Sequence, residues 1–255
     1  MLLVIDVGNT NIVLGVYQNK TLLKDWRIRT ERSMTEDEFH VLAYSLFERS
    51  EIFPDQIDKI IISCVVPPMV NILDAFCRKY IHHVPVWVDP RHFKGMPILY
   101  TNPGEVGADR IVNAVAAYRK YRTSLVVIDF GTATTFDAIS EKGEYLGGAI
   151  SPGIMISAEA LFKNASKLPR VEIFKAPDQV IGKDTAASIQ SGIIYGYAGL
   201  VDGMVMRLKA EMGSNPKILA TGGLSVLMAG VSQTIDAVES DLTLEGLLII
   251  SEELS

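Results

Sequence analysis

The chain has 255 residues, enough for one large domain or two of ordinary size. Apolar residues make up 48% and charged residues 21%, a globular rather than disordered balance, and the formal net charge is −6. No basic run stands out, which argues against a nucleic-acid surface; an acidic protein that binds a polyphosphate must build positive potential locally. The start, MLLVIDVGNTN, lacks a basic n-region and a small-residue cleavage site. The longest uncharged stretch, residues 185–201, is too polar to span a bilayer, so no membrane contact is expected. Cys64 and Cys77 form no CxxC and suit a reducing compartment, which places the expected location in the cytoplasm.

Residues 2–6 form a short apolar run, ended by Gly8-Asn9-Thr10-Asn11 and followed by a second run at 12–17: a strand, a turn and a returning strand. A third strand is expected at 22–29, with Leu23, Trp26 and Ile28 alternating with polar residues. A helix follows, opened by a Thr35/Glu38 capping box and carrying Phe39, Leu42, Ala43, Leu46 and Phe47 at helical spacing. Residues 59–66 read as a buried strand, 69–81 as a helix and 84–89 as a strand. A Gly/Pro-rich loop over 94–107 leads into a helix at 108–121.

The pattern then begins again. Val4-Ile5-Asp6-Val7-Gly8 returns as Val127-Ile128-Asp129-Phe130-Gly131, 123 positions later. Strands at 134–140 and 144–151, a helix near 153–165, a long helix at 185–212, a strand at 217–221 and a closing helix through Leu242, Leu247, Leu248 and Ile249 complete the chain. The repeat is too long for a solenoid and indicates a duplicated domain, divided at 1–117 and 118–255. The expected class is α/β, with mixed sheets flanked by helices.

A strand ending in Asp-x-Gly delivers a carboxylate at its edge, and the glycine lets the turn approach a ligand. Backbone N–H groups of Gly8, Asn9, Thr10 and Asn11 can converge on phosphate oxygens, and Asp6 can serve Mg²⁺ directly or through water. Thr132, Ala133 and Thr134 occupy the corresponding turn of the second half. A plain hairpin turn also favours Asn and Gly, so the motif carries both readings. In the loop from Tyr100 to Arg110, Asp109 and Arg110 open a helix. The helix dipole alone favours an Asp there, but the pair can also accept a hydroxyl proton and bind an anion.

Gly147 to Gly153 and Thr221-Gly222-Gly223 are turn chemistry or close approach to a nucleotide. Either Asp184 or Thr185 is the expected cap of the long helix, and one of them can touch a substrate hydroxyl. His82-His83 has no further ligand at metal spacing, and Trp26 and Trp87 read as core. Neither a P-loop nor a strand followed by G-x-G-x-x-G occurs. The uncharged helix over 185–201 is the best candidate for a dimer surface, although burial within one subunit explains it equally well.

The segments DVGNTN (Asp6 to Asn11), PGEVGADR (Pro103 to Arg110), DFGTATT (Asp129 to Thr135), GGAISPG (Gly147 to Gly153) and TGG (Thr221 to Gly223) resemble, in order and spacing, the motif series of the type III pantothenate kinases. That resemblance implies duplicated ribonuclease-H-like domains of the actin, Hsp70 and sugar kinase superfamily. It implies ATP-dependent phosphorylation of pantothenate at its primary hydroxyl, the first step of coenzyme A synthesis, by a homodimer needing Mg²⁺ and a monovalent cation, K⁺ or NH₄⁺. On this chain it implies that Asp6, Val7, Gly8, Asn9, Thr10, Asn11, Ile12 and Val13 contact ATP, with Asp6 near Mg²⁺, and that Thr132 binds the phosphates. It makes Asp109 the proton acceptor, and gives pantothenate to Tyr100, Gly107, Ala108, Asp109, Arg110 and Thr185. Asp129 would hold the monovalent cation. The competing expectations are another small-molecule kinase of the superfamily, or a non-catalytic regulator on the same fold.

Overall fold

Strand β1 (Leu2–Val7) is buried on both faces, which is why LLVIDV is a near-continuous apolar run rather than an alternation. The computed structural model describes residues 1–254, and β1 lies at the centre of the first of its two sheets. On one side β1 pairs antiparallel with β2 (Asn11–Gln18), which pairs antiparallel with β3 (Thr21–Arg29). On the other side β4 (Lys59–Cys64) runs parallel to β1, and β5 (Val86–Trp87) parallel to β4. The order is therefore β3-β2-β1-β4-β5.

Leu3, Ile5 and Val7 point to the face covered by helices α1 (Glu36–Glu48) and α2 (Pro67–Phe76), which bury Phe39, Ala43, Phe47, Met69, Leu73 and Phe76 against it. Each of the Phe, Met and Leu side chains contributes about 1.5–3 kcal/mol. The Phe39 and Phe76 rings meet edge to face at 4.8 Å. The capping box of α1 is formed in both directions: the Glu38 N–H donates to Thr35 Oγ1 at 3.3 Å, and the Thr35 N–H donates to Glu38 Oε2 at 2.7 Å. The helix expected over 69–81 starts earlier, because Pro67 fits the first turn, and its tail Cys77–Ile81 is a π-helical turn closed by His82 in left-handed conformation. Trp26 and Trp87 pack against this core but remain partly exposed, since each lies on an edge strand. Helix α3 (Ala108–Tyr121) follows.

The second sheet repeats the plan. Strand β6 (Leu125–Phe130) is central, β7 (Ala133–Ile139) and β8 (Tyr145–Pro152) are antiparallel on one side, and β9 (Lys217–Thr221) and β10 (Ala237–Val238) are parallel on the other. Even the irregularities coincide. The register of β2 with β3 shifts between Val16 and Tyr17, and that of β7 with β8 between the matching residues Ala138 and Ile139. Helices α4 (Ile154–Asn164), α5 (Thr185–Met212), α6 (Ser225–Ala229) and α7 (Leu242–Glu253) complete the chain. Two mixed sheets flanked by helices, in the same strand order, make up the duplicated α/β architecture expected from the repeat.

The compact units do not coincide with a single cut between 117 and 118. One unit is 1–96, 100–116 and 242–255, and the other is 97–99 and 117–241. A cut at 117/118 assigns α7 to the second half, whereas its contacts are with β1, β4 and α3 of the first unit. A Cβ on Gly246 would strike the Val112 backbone, so glycine is what permits α7 to lie so close to α3, and Thr243 Oγ1 donates to Asn113 Oδ1 at 2.8 Å.

Candidate active site

In the first unit Asp6 stands at the end of β1, opposite Val13 on β2 and Ser63 on β4. The turn that follows is tight. The Gly8 N–H donates to the Asn11 carbonyl at 3.0 Å, and a Cβ on Gly8 would lie 3.2 Å from that same oxygen. Asn9 and Thr10 at its tip are exposed. The chain leaving β3 is bound to the turn from outside: Thr30 Oγ1 donates to the Gly8 carbonyl at 2.6 Å, and the Thr30 N–H donates to the Thr10 carbonyl at 3.0 Å. Arg32 Nη2 donates to Asn9 Oδ1 at 2.8 Å. Val7, Ile12 and Val13 are strand residues, and Val7 and Ile12 are fully buried, so they position the turn by packing.

The PGEVGADR segment belongs to the same unit and reaches the same strand ends. Val65, whose N–H donates to the Val7 carbonyl at 3.1 Å, lies 3.5 Å from the Cβ that Gly107 lacks. That missing Cβ would collide with Asp109 Oδ1, so Gly107 is what lets the carboxylate fold back over the start of α3. The Arg110 N–H donates to Asp109 Oδ1 at 2.8 Å. Burial pushes the Asp109 carboxyl above the ordinary carboxylate value, and the backbone N–H and charge of Arg110 oppose that rise only in part. Arg110 is 7% exposed and Ala108 is buried. Tyr100, partly buried, begins the segment leading to the 3₁₀ turn Pro103–Glu105. The Cys64 thiol lies among these groups. Burial raises its pKa first, and the charges of Asp6 and Asp109 add to the rise, so both carboxylates surround this end of β4.

The second unit builds a different surround for Asp129. Asp129 faces Thr135 on β7 and Thr221 on β9. Its turn is one residue shorter than the first, with the Gly131 N–H donating to the Ala133 carbonyl at 3.1 Å. Two glycines from distant motifs close on it. Gly153, at the N-terminus of α4, donates its N–H to the Thr132 carbonyl at 3.1 Å, and a Cβ there would lie 2.6 Å from the Gly131 carbonyl. Gly222 has φ +88°, and a Cβ there would strike Asp129 Oδ1 and the Phe130 backbone. The glycine motifs are thus one assembly around Asp129. Within GGAISPG only Gly153 opens the helix; Gly147 and Gly148 lie inside β8, where Gly147, at φ +127°, serves the bulge.

Thr132 is exposed on this turn. Thr185 is at the first position of α5, in a groove of about 750 Å³ lined also by Leu161, Leu168, Lys183, Ser188 and Ile193. Asp184 is the cap, its Oδ1 accepting the Ala187 N–H at 2.8 Å, which leaves Thr185 the better placed of the two for a ligand.

Among the described residues no three His, Cys, Asp or Glu side chains gather into a metal cage. Mg²⁺ carried on phosphates needs only one or two carboxylates and keeps several waters, a role Asp6 fits. Around Asp129 the groups at hand are oxygens: its own carboxylate, the carbonyls of its turn and, at the facing strand positions, Thr135 and Thr221. That donor set suits a hard cation. Thr30, Arg32 and the joint action of Gly153 and Gly222 escaped sequence reasoning, because nothing local marks a residue whose partner is twenty or ninety positions away.

A family model described as type III pantothenate kinase matches residues 2–207. A type III pantothenate kinase of Desulfatibacillum aliphaticivorans is 66% identical over 255 residues, covering 100% of this chain and 99% of the relative. One from Desulforapulum autotrophicum is 63% identical over 254 residues, covering 99% and 97%. Among solved structures, a conserved Campylobacter jejuni protein assigned to a Baf family of transcriptional activators superposes with TM-score 0.63 at 20% identity, over 99% of this chain and 98% of that one. An inorganic polyphosphate/ATP-glucomannokinase from an Arthrobacter species gives 0.52 at 15% identity, over 99% and 98%. At such identities these structures speak for the fold alone.

Proposed function

Since the chain belongs to the type III pantothenate kinase family, we infer that it phosphorylates pantothenate at the expense of ATP, giving 4′-phosphopantothenate and ADP at the head of coenzyme A synthesis. The observation that carries the mechanism is the convergence of the Asp6 turn, Cys64 and Asp109 at one end of the first sheet. The turn Gly8 to Asn11, flanked by Asp6 and by Val7, Ile12 and Val13, binds the nucleotide phosphates through backbone N–H groups at its exposed tip, Asn9 and Thr10, while the Gly8 N–H holds the turn closed on the Asn11 carbonyl. Mg²⁺, when bound, neutralises phosphate charge, and Asp6 is the residue that holds it. Asp109 orients the primary hydroxyl of pantothenate and takes its proton late in a loose transition state. Burial raises its pKa above the ordinary carboxylate value, which makes it a stronger base than an exposed aspartate.

Tyr100, Gly107, Ala108 and Thr185 complete the pantothenate contacts, with Arg110 pairing its carboxylate through a fixed guanidinium fork. Asp129 holds a monovalent cation, K⁺ or NH₄⁺, and Thr132 contributes to the phosphates. The relatives' kinase names and the presence of Asp6, Asp109 and Asp129 favour this reading over a regulator on the same fold. ADP release coupled to added pantothenate, in K⁺ and then in Na⁺, tests it. Turnover that requires pantothenate supports the reaction, and turnover unaffected by adding pantothenate overturns it.

We also place a second copy of the chain on the exposed side of α5. Gly192, Gly196 and Gly199 are exposed there, with nothing within 4 Å of where a Cβ would be. Interior helix glycines cost about 1 kcal/mol each relative to alanine, a cost that close approach of a second helix offsets. Phe174 and Ile181 of the same unit are 76% and 73% exposed, apolar surface that a partner would cover. A homodimer in sedimentation is the expected result. No helix among the described residues is long and apolar enough to cross a membrane. Two free cysteines and a substrate of central metabolism accord with work in the cytoplasm.

A further inference from the structure

Arg32 has an arrangement that packing does not require. Its backbone follows Thr30, which is bonded twice to the phosphate-binding turn, through the Gly8 carbonyl at 2.6 Å and the Thr10 carbonyl at 3.0 Å. The guanidinium is therefore carried to the turn by a short, fixed tether. Carboxylates are plentiful on the same stretch of chain, and each is engaged elsewhere. Glu31 accepts from the Ser33 hydroxyl at 2.8 Å, Glu38 from the Thr35 N–H at 2.7 Å, and Asp37 from Lys79 and Tyr80 at 2.5 Å each, while Glu36 faces Lys79 at 3.6 Å. Arg32 instead donates to a neutral amide oxygen, Asn9 Oδ1 at 2.8 Å, at the exposed tip of the turn. A full positive charge parked on a neutral acceptor, beside backbone N–H groups suited to anions, is poised for an anionic partner.

We propose that Arg32 is a further nucleotide-binding residue, which leaves Asn9 to pair with the terminal phosphate of the bound nucleoside triphosphate. The proposal rests on the reading of the Asp6 turn as the phosphate site. The planar fork of arginine matches two phosphate oxygens at once, and the exposed stem is free to re-aim over a short distance. A chain of net charge −6 gains most from such a local cation, because its general field disfavours a polyphosphate.

The test is equilibrium titration of wild type, Arg32→Ala and Arg32→Lys with a non-hydrolysable ATP analogue, ADP and AMP, each with Mg²⁺, together with KM values for ATP and pantothenate. Arg32→Ala is expected to weaken the triphosphate analogue by about tenfold or more, as for loss of a charge-assisted pair, while AMP changes by less than about twofold. Arg32→Lys should fall between, since a point charge replaces a fork. KM for pantothenate should hold within about twofold, and triphosphate affinity should lose part of its salt dependence. Unchanged triphosphate binding in Arg32→Ala overturns the proposal. Equal weakening of all three nucleotides also overturns it, because a residue that merely anchors the turn would act in that way. A wild type that binds none of them would instead overturn the reading of the turn itself.

Discussion

Asp6 and Asp129 end matching strands in two sheets of the same order, yet different neighbours brace the two turns. Both tips are exposed, at Asn9 and Thr10 and at Gly131 and Thr132, but the first turn is clasped from the β3 side by Thr30 and Arg32. The second is a residue shorter and carries Gly153 and Gly222 pressed against its backbone and against the Asp129 carboxylate. A nest of N–H groups suits a bulky polyphosphate, whereas a carboxylate hemmed in by glycine backbone and turn carbonyls suits a small cation. The insertions diverge in the same way. Between its fifth strand and the helix that follows, the first repeat spends residues 88–107 and gains Asp109; the second spends only 239–241. Between its third and fourth strands the second repeat spends 153–216 and gains α4 and α5. Duplication supplied the frame, and unequal loops divided the labour.

The largest expected effect removes what the second repeat never acquired. Asp109→Asn should lower kcat on the order of 10²-fold or more, measured as pantothenate-dependent ADP release. Because burial raises the Asp109 pKa, and the acceptor must be ionised, kcat/KM in the wild type should fall on the acid side at a pH above the ordinary carboxylate value of about 4. That limb should vanish in the Asn variant. The sign for stability is opposite. With the folded pKa above the unfolded one, the native chain binds the extra proton between them, so stability declines as pH rises through that window. Asp109→Asn should therefore melt no lower than wild type at neutral pH. A lower melting temperature there would show that Asp109 is structural as well.

A second contrast compares the glycines. Gly222→Ala puts a side chain at φ +88° and drives its Cβ into the Asp129 carboxylate and the Phe130 backbone. A loss of about 2–4 kcal/mol in denaturant unfolding is expected. Gly8→Ala meets a single backbone oxygen at 3.2 Å, and about 1 kcal/mol is expected. Equal losses would mean that backbone hems in the two aspartates equally, against the distinction drawn between them.

That distinction was only half legible in the sequence. The repeat of Val-Ile-Asp-x-Gly, the Thr35/Glu38 capping box and the span of α5 follow from local chemistry, and each stands as expected. The return of α7 to the first unit, and the gathering of Gly153 and Gly222 around Asp129, depend on contacts far apart in sequence, which no local pattern records. By sequence, Thr221-Gly222-Gly223 reads as turn chemistry or close approach to a nucleotide. What the structure gives Gly222 is contact with a carboxylate, a role for which any backbone-permissive residue at a strand end is a candidate. The two-residue strands β5 and β10 are too short to carry a period, which is why the strand expected at 84–89 shrinks to Val86–Trp87 and β10 went unmarked.

Charge removal at the two aspartates sharpens the comparison at the level of ions. Asp129→Asn should cost about tenfold in activity at saturating ATP and abolish the difference between K⁺ and Na⁺. Asp6→Asn should instead raise the Mg²⁺ concentration needed for half-maximal rate while keeping that difference. The reverse pattern would exchange the roles assigned to the two hairpins.

The smallest effects belong to a pair of hydroxyl clasps, one in each repeat. Thr30 Oγ1 donates to the Gly8 carbonyl at 2.6 Å, and Ser225 Oγ to the Gly222 carbonyl at 2.7 Å, so each ties down a glycine beside its aspartate. Thr30→Val and Ser225→Ala should each lose about 1 kcal/mol of unfolding free energy, the ordinary worth of one hydrogen bond. The kinetic consequences should separate. Loosening the first turn disturbs the N–H groups that meet phosphate, so Thr30→Val should raise KM for ATP by roughly a few-fold and leave the response to K⁺ intact. Loosening Gly222 relaxes the wall around Asp129, so Ser225→Ala should weaken the half-activating K⁺ concentration with little change in KM for ATP. Two variants of equal stability cost and opposite kinetic signature would show that the hairpins, alike in backbone, are read by different ligands.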